Sequence, residues 1–263
     1  MTPPASPPDA IAFAESLADA AREIARRWFR AEPPTDRKAD ASPVTAADRE
    51  IEAAIRMRIS ERFPDHGVLG EEQDPHALDA DWLWVIDPID GTKAFMTGKP
   101  TFTSLIALTW RGDPVIGVIE APATLERWVA ARGQGARLNG LTAHVRDCAS
   151  VAEASLYASS PYMFIGEDAA AWSRLQPMAA DTLFGADAYH YGLLSAGHCD
   201  LVCEADLKPY DFCAVAPVVT EAGGTITDWN GAPLTAFSDG RVLAAGDKAR
   251  HTDAIRFLGG PAE

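Results

Sequence analysis

Cysteine is scarce in this chain of 263 residues: Cys148, Cys199, Cys203 and Cys213 are the whole complement. So few thiols exclude a disulfide-built fold. The opening residues carry no secretory signal pattern, and the expectation is reduced thiols in a cytoplasmic protein. Basic residues are outnumbered, 23 Lys and Arg against 38 Asp and Glu, for a net charge of −15. A nucleic-acid partner calls for a basic face, so that class is disfavoured. No apolar run approaches the ~20 residues that cross a bilayer, which argues against a membrane partner. No internal repeat is visible. What remains is a hydrophobic content of 47%, ample for a large core.

The most informative stretch is WLWVIDPIDGTKAF at 82–95. Trp82 to Ile86 is a short apolar run rich in β-branched and aromatic residues, as in a buried strand. Pro88 fixes φ and cannot donate to a ladder, which predicts that the strand ends near Asp87. Asp90 follows, Gly91 permits a tight turn, and Thr92 can open a helix. Two carboxylates on a rigid turn at the end of a buried strand are costly without a counter-charge. A hard cation is the physical remedy, and oxygen ligands of this kind suit Mg²⁺. Amides at a helix start near Gly91 and Thr92 could hold a phosphate. The competing reading is a solvated Asp-Pro…Asp-Gly turn.

Upstream, MTPPASPP at 1–8 is a Pro-rich tail. A first helix is expected over Asp9–Arg30, with Asp9 as cap and Arg22, Arg26, Arg27 and Arg30 on a solvated face with acids. A polar loop at 31–42 carries Lys38, read from composition as an exposed lysine. Ile51, Ile55, Ile59 and Phe63 then mark a helix, with Thr45 and Asp48 resembling a capping box. The Glu71–Glu72 pair follows a short strand at Val68–Leu69 and gains interest only if folding brings it to the Asp87/Asp90 turn.

Downstream, strands at 103–110, 114–120 and 126–131 suggest an antiparallel meander. Residues 132–140 read as a loop, and a composition shift near 141–152 divides an N-terminal lobe (9–145) from a C-terminal lobe (146–263). The second half alternates strands and helices. Cys203 sits in an apolar run, where cysteine behaves as a small hydrophobe; a zinc site with His198 and Cys199 is the weaker reading. A helix over 209–222 should kink at Pro217. Asp211 in its first turn is equally well explained by the helix dipole or by a role beside the opening acids.

Taken together, GEE at 70–72, WVIDPIDGTKAF at 84–95 and DFCAVAPVVTEAGG at 211–224 resemble the inositol monophosphatase family of Mg²⁺-dependent phosphatases, over nearly the whole chain past the tail. Tyr210 stands where the family usually has Trp. KADASPVTAADREIE at 38–52, FPDHGVLGEE at 63–72, the segment at 191–219 and SDGRVLAAGD at 238–247 are similar to the histidinol-phosphate phosphatase branch.

The resemblance implies an α/β (α+β) fold, a layered αβαβα sandwich of the inositol monophosphatase and fructose-1,6-bisphosphatase type. It implies a homodimer, a small-molecule phosphate ester as partner and two or three Mg²⁺ per active site. Metal ligands would fall on Glu71, Asp87, the Ile89 carbonyl, Asp90 and Asp211. Thr92 would help Glu71 orient the attacking water, Gly91 and Thr92 would hold the phosphate, and Asp48 and Lys38 would support the site. Gly185, Ala186, Asp187 and Glu204, with Asp211, would face the alcohol.

A phosphoryl transfer of this type needs positioning and charge neutralisation more than a covalent nucleophile. The resemblance to that branch implies hydrolysis of L-histidinol phosphate in histidine biosynthesis, and a carboxylate at Asp187 would suit its cationic alcohol. The alternative is an inositol-1-phosphatase or a broad phosphomonoesterase. A bisphosphate nucleotidase ranks third, since a nucleotide would prefer a more basic pocket. A non-enzymatic regulatory module on the same scaffold is the rival from another class, and the intact acid set argues against it.

Overall fold

The computed structural model describes residues 9–31 and 43–260, with side chains described from Ala46 onward in the second segment. Lys38 lies outside the described residues. Two sheets organise the chain. The first has seven strands in sequential order: β1 (Gly67–Gly70), β2 (Trp82–Asp90), β3 (Thr103–Trp110), β4 (Asp113–Ala121), β5 (Glu126–Ala131), β6 (Ala136–Leu138) and β7 (Leu141–Thr142). All neighbours run antiparallel except β1 and β2, which are parallel. The second sheet has five strands: β8 (Ser155–Ala158), β9 (Asp181–Phe184), β10 (Leu201–Glu204), β11 (Thr225–Thr227) and β12 (Val242–Ala245), in the order β11-β12-β10-β8-β9.

Helices complete a five-layer αβαβα stack. α1 (Ala10–Trp28) and α2 (Pro43–Arg62) cover the outer face of the first sheet. Between the sheets lie α5 (Tyr189–Ser195), α6 (Pro209–Phe212) and α7 (Val215–Glu221), while α4 (Glu167–Leu175) and α8 (Lys248–Leu258) close the far side. The short α3 (Thr92–Thr97) follows β2. Period-two alternation distributes each central strand between two cores. Leu83, Val85, Leu105 and Ala107 face the middle layer, while Trp84, Ile86, Ile106 and Leu108 face α1 and α2. Burial on both faces is why these strands read as unbroken apolar runs rather than as alternating ones.

Several sequence expectations change. β2 continues past Asp87 to Asp90, because a bulge between these residues takes Pro88 and Ile89 out of register with β3. Asp9 precedes α1 with φ 65° and makes no side-chain cap. Pro43 opens α2, so Thr45 and Asp48 lie within the helix and Thr45 is not its cap. Arg22 leaves the solvated face and makes a bidentate pair with the fully buried Glu120 of β4. The loop at 132–140 contains β6, and β9 is a strand that periodicity did not mark.

The helix expected over 209–222 is two helices, broken at Cys213 and Ala214. Pro217 has no amide to offer Cys213, four residues earlier, and its ring excludes a regular turn there. This break presses on β4: a Cβ at Gly117 would lie 2.0 Å from the Ala214 carbonyl oxygen. α5 also packs closely, since a Cβ at Gly192 would meet the Trp128 ring at 2.9 Å.

Candidate active site

The parallel pairing of β1 and β2 builds the site. Gly70 is in register with Ile86, so Glu71 leaves β1 at the level where Asp87 sits on β2. Ligand sites in sheets gather at the carboxyl ends of parallel strands for this geometrical reason. The bulge then projects Asp90 from the same end. α6 brings Asp211 from more than a hundred residues away, by way of its packing on β2 and β3. Asp87, Asp90 and Asp211 each offer a carboxylate oxygen within 4.8 Å of the others. Asp87 also lies beside both Glu71 and Asp211, and each of these interactions lowers the neighbour's carboxyl against the rise that burial causes.

This crowding has an electrostatic signature. Burial first, and then Asp90, Glu71, Asp211 and Asp48, hold the Asp87 carboxyl well above the usual range. Asp90 is raised likewise, by burial and then by Asp187 and Asp211. Asp211 is pushed up to about 7 and Asp48 to about 8, in both cases chiefly by burial. Glu71 rises through burial and its neighbour Glu72. Tyr210 borders the same acids, and its phenol is pushed up to about 12 by burial, then Glu71 and Asp211.

The donor set fits a hard divalent cation. Oδ1 of Asp87 and Oδ1 of Asp48 are buried and have no hydrogen-bond partner, which is expensive for a carboxylate unless a cation or ordered water meets it. Asp90 is partly satisfied: its Oδ2 accepts from the Ala188 amide at 2.8 Å and from the Thr103 hydroxyl at 3.0 Å. Asp211 does both things its position suggested. One oxygen accepts from the Lys208 amide at 2.6 Å, capping α6, and the carboxyl also meets Asp87.

The remaining predicted residues surround this cluster. Gly91 takes φ 78°, and the Thr92 hydroxyl donates to the Ile89 carbonyl at 3.3 Å. A Cβ at Gly91 would lie 2.8 Å from Oδ2 of Asp187, so the chain needs glycine here twice over. Gly185 has φ 90°, and its carbonyl accepts from Lys99 at 3.1 Å. Asp187 itself sits at φ 46°, with Ser159, Lys99 and Lys93 lowering a carboxyl that burial raises.

Glu204 is buried at the end of β10, and both its oxygens are taken. One accepts from the Ser159 amide at 2.8 Å and from its hydroxyl, the other from the Tyr191 phenol at 2.8 Å. Ser159 therefore links Glu204 to Asp187, a link with no signal in the sequence beyond a Ser-Ser pair after a strand. Cys203 is buried in β10 and Cys199 donates to the His190 carbonyl. Among the described residues no helix is long and apolar enough to cross a membrane.

A buried acid cluster at strand ends, flanked by a glycine turn, on an αβαβα sandwich makes a candidate site for a divalent cation. A sequence profile of the inositol monophosphatase family matches residues 8–258. The chain belongs to that family. It is 43% identical over 259 residues to the bifunctional phosphatase IMPL2 of Arabidopsis thaliana, covering 94% of this chain and 74% of that one. It is 39% identical over 238 residues to a histidinol-phosphatase of Mycobacterium tuberculosis, covering 85% and 88%. An inositol monophosphatase structure from Zymomonas mobilis superposes with a TM-score of 0.90 at 43% identity, over 97% of this chain and all of that one. Family membership and the acid cluster together support hydrolysis of a small phosphorylated metabolite.

Proposed function

We propose that the protein is a Mg²⁺-dependent phosphomonoesterase. The observation that carries this is the convergence of Asp87, Asp90 and Asp211 around a buried carboxylate oxygen with no partner. Glu71, Asp87, the Ile89 carbonyl, Asp90 and Asp211 would hold the metal. When bound, Mg²⁺ supplies Lewis-acid activation of water and neutralises charge on the departing ester oxygen. Glu71 and Thr92 orient the water for in-line attack, and the Gly91 and Thr92 amides hold the phosphate. Asp48 supports this water from α2. Lys38 is assigned a supporting role by resemblance alone. A homodimer is part of the same reading.

The alcohol divides the finer readings. The likeness to the Zymomonas mobilis inositol monophosphatase is stronger than that to the Mycobacterium tuberculosis histidinol-phosphatase, and supports an inositol-1-phosphate or broad specificity first. The second reading is L-histidinol phosphate. Asp187, set against Gly91 at the edge of the acid cluster, favours it, because a carboxylate forms an ion pair with an ammonium or imidazolium and only a hydrogen bond with a neutral polyol.

A phosphate-release panel of inositol 1-phosphate, histidinol phosphate and adenosine 3′,5′-bisphosphate, with Mg²⁺ and with EDTA, tests the class and ranks the substrates. Release from at least one of the first two, abolished by EDTA, is expected; release that ignores EDTA would refute the metal-dependent reading. Asp187→Ala separates the two alcohols. On the histidinol reading, kcat/KM for histidinol phosphate drops about tenfold or more beyond any drop for inositol 1-phosphate, a difference of about 1.4 kcal/mol. Equal losses for both esters would remove Asp187 from cation recognition.

A further inference from the structure

The Glu71 turn has no regular structure of its own, yet the metal-dependent reading requires its carboxylate to sit opposite Asp87. What fixes it lies in α2. Asp48, Glu52 and Arg56 are spaced four apart, so they share one face of that helix, directed at the turn. Glu52 is fully buried, a rare state for glutamate without dedicated partners. Its Oε2 accepts from the Glu72 amide at 2.8 Å, and its Oε1 from the Gln73 amide at 3.2 Å and from Arg56 Nε at 2.7 Å. Arg56 also reaches over to the Gln73 carbonyl at 3.1 Å. On the near side the carboxylate lies flat on Gly70, where a Cβ would be 2.3 Å from Oε1.

We infer that Glu52 and Arg56 are positioning residues for the metal centre. Glu52 holds the backbone after Glu71 by the Glu72 and Gln73 amides and fills the space over Gly70 before it, and Arg56 holds Glu52 and closes the turn at Gln73. The carboxylate of Glu71 is thereby set toward Asp87 before any cation arrives. Gly70 is glycine because the clamp occupies the space of its side chain. This inference rests on Glu71 being a metal ligand, as proposed above. Partners one shell out from a metal ligand typically control affinity by about 10- to 100-fold when removed, because the ligand must otherwise be ordered at the moment of binding.

The test is Mn²⁺ affinity by calorimetry on the full chain, for wild type, Glu52→Gln, Arg56→Lys and Glu71→Gln, with thermal unfolding followed in EDTA. Gln keeps the shape of Glu52 but offers one acceptor where two amides and a guanidinium need them. Lys keeps the charge of Arg56 and loses its fork. Glu52→Gln and Arg56→Lys should each weaken Mn²⁺ binding about tenfold or more, while the metal-free unfolding midpoint stays within about 4 °C of wild type.

Wild-type affinity in both variants, with Glu71→Gln weakened, would overturn the clamp and leave the ligand reading standing. Wild-type affinity in Glu71→Gln would remove the ligand reading and the clamp with it. A loss of affinity that only tracks a collapsed metal-free midpoint in both variants would mark a merely structural role and also overturn the proposal. If Glu52→Gln alone does not fold, Arg56→Lys decides.

Discussion

Asp90→Asn is expected to leave a folded protein whose phosphate release falls by about 10³-fold or more. The two groups that bond Asp90 are donors, the Ala188 amide and the Thr103 hydroxyl, and an asparagine carbonyl oxygen accepts from both. The fold therefore loses no hydrogen bond it needs. A metal held here would lose one anionic ligand of the three that meet within 4.8 Å. Preorganised charge at the reacting centre is usually the largest single contribution to catalysis, and removing one element of it costs ~10²–10³ even where no metal is involved. Stability should move in the opposite direction. Among the neighbouring charges Asp90 raises the Asp87 carboxyl most, so the neutral amide relieves repulsion in the metal-free protein. Phosphate release with Mg²⁺ and thermal unfolding in EDTA measure the two effects. Turnover within tenfold of wild type would refute the role of this carboxylate.

Metal-free protein should lose stability as pH rises, and Mg²⁺ should restore it. Asp211 and Asp48 are pushed up to about 7 and about 8 from an ordinary 3.8. With folded values raised above unfolded ones, the folded state binds more protons. Its extra stability is complete below the unfolded value near 3.8 and is lost as pH climbs through about 7 and 8. One aspartate shifted this far is worth on the order of 4 kcal/mol, and coupling within the cluster makes the sum less than additive.

A drop of several kcal/mol between pH 5 and pH 9 corresponds to about 10 °C in unfolding midpoint for a chain of this size. A cation compensates the ionised cluster, so saturating Mg²⁺ should flatten the profile and raise the high-pH midpoint most. Midpoints in EDTA and in Mg²⁺ at three pH values measure this. A flat metal-free profile would show that the acids are not held together in the folded state.

Much of this site was legible before the fold was known, for a local reason. Asp87, Pro88, Asp90, Gly91 and Thr92 lie within six residues, so backbone geometry alone brings them to one turn, and the meander of β3 to β5 follows from short turns between apolar runs. Boundaries failed where tertiary packing overrode local rules. The strand outran Pro88 because a bulge absorbed it, and the helix at 209–222 broke where Ala214 meets Gly117. Arg22 looked solvated because nothing near it in sequence announces Glu120.

By itself the sequence determined most of the elements, the acids and, through the three motifs, the family. Only the tertiary structure decided which acids act together. Parallel pairing of β1 with β2 turned the ambiguous Glu71 pair into a neighbour of Asp87, and the middle helix layer delivered Asp211. It also exposed Glu52, Arg56 and Ser159, whose work consists of holding other residues in place. Glu52 leaves little local trace, because two of its three hydrogen-bond partners are backbone amides, and every residue but proline has one.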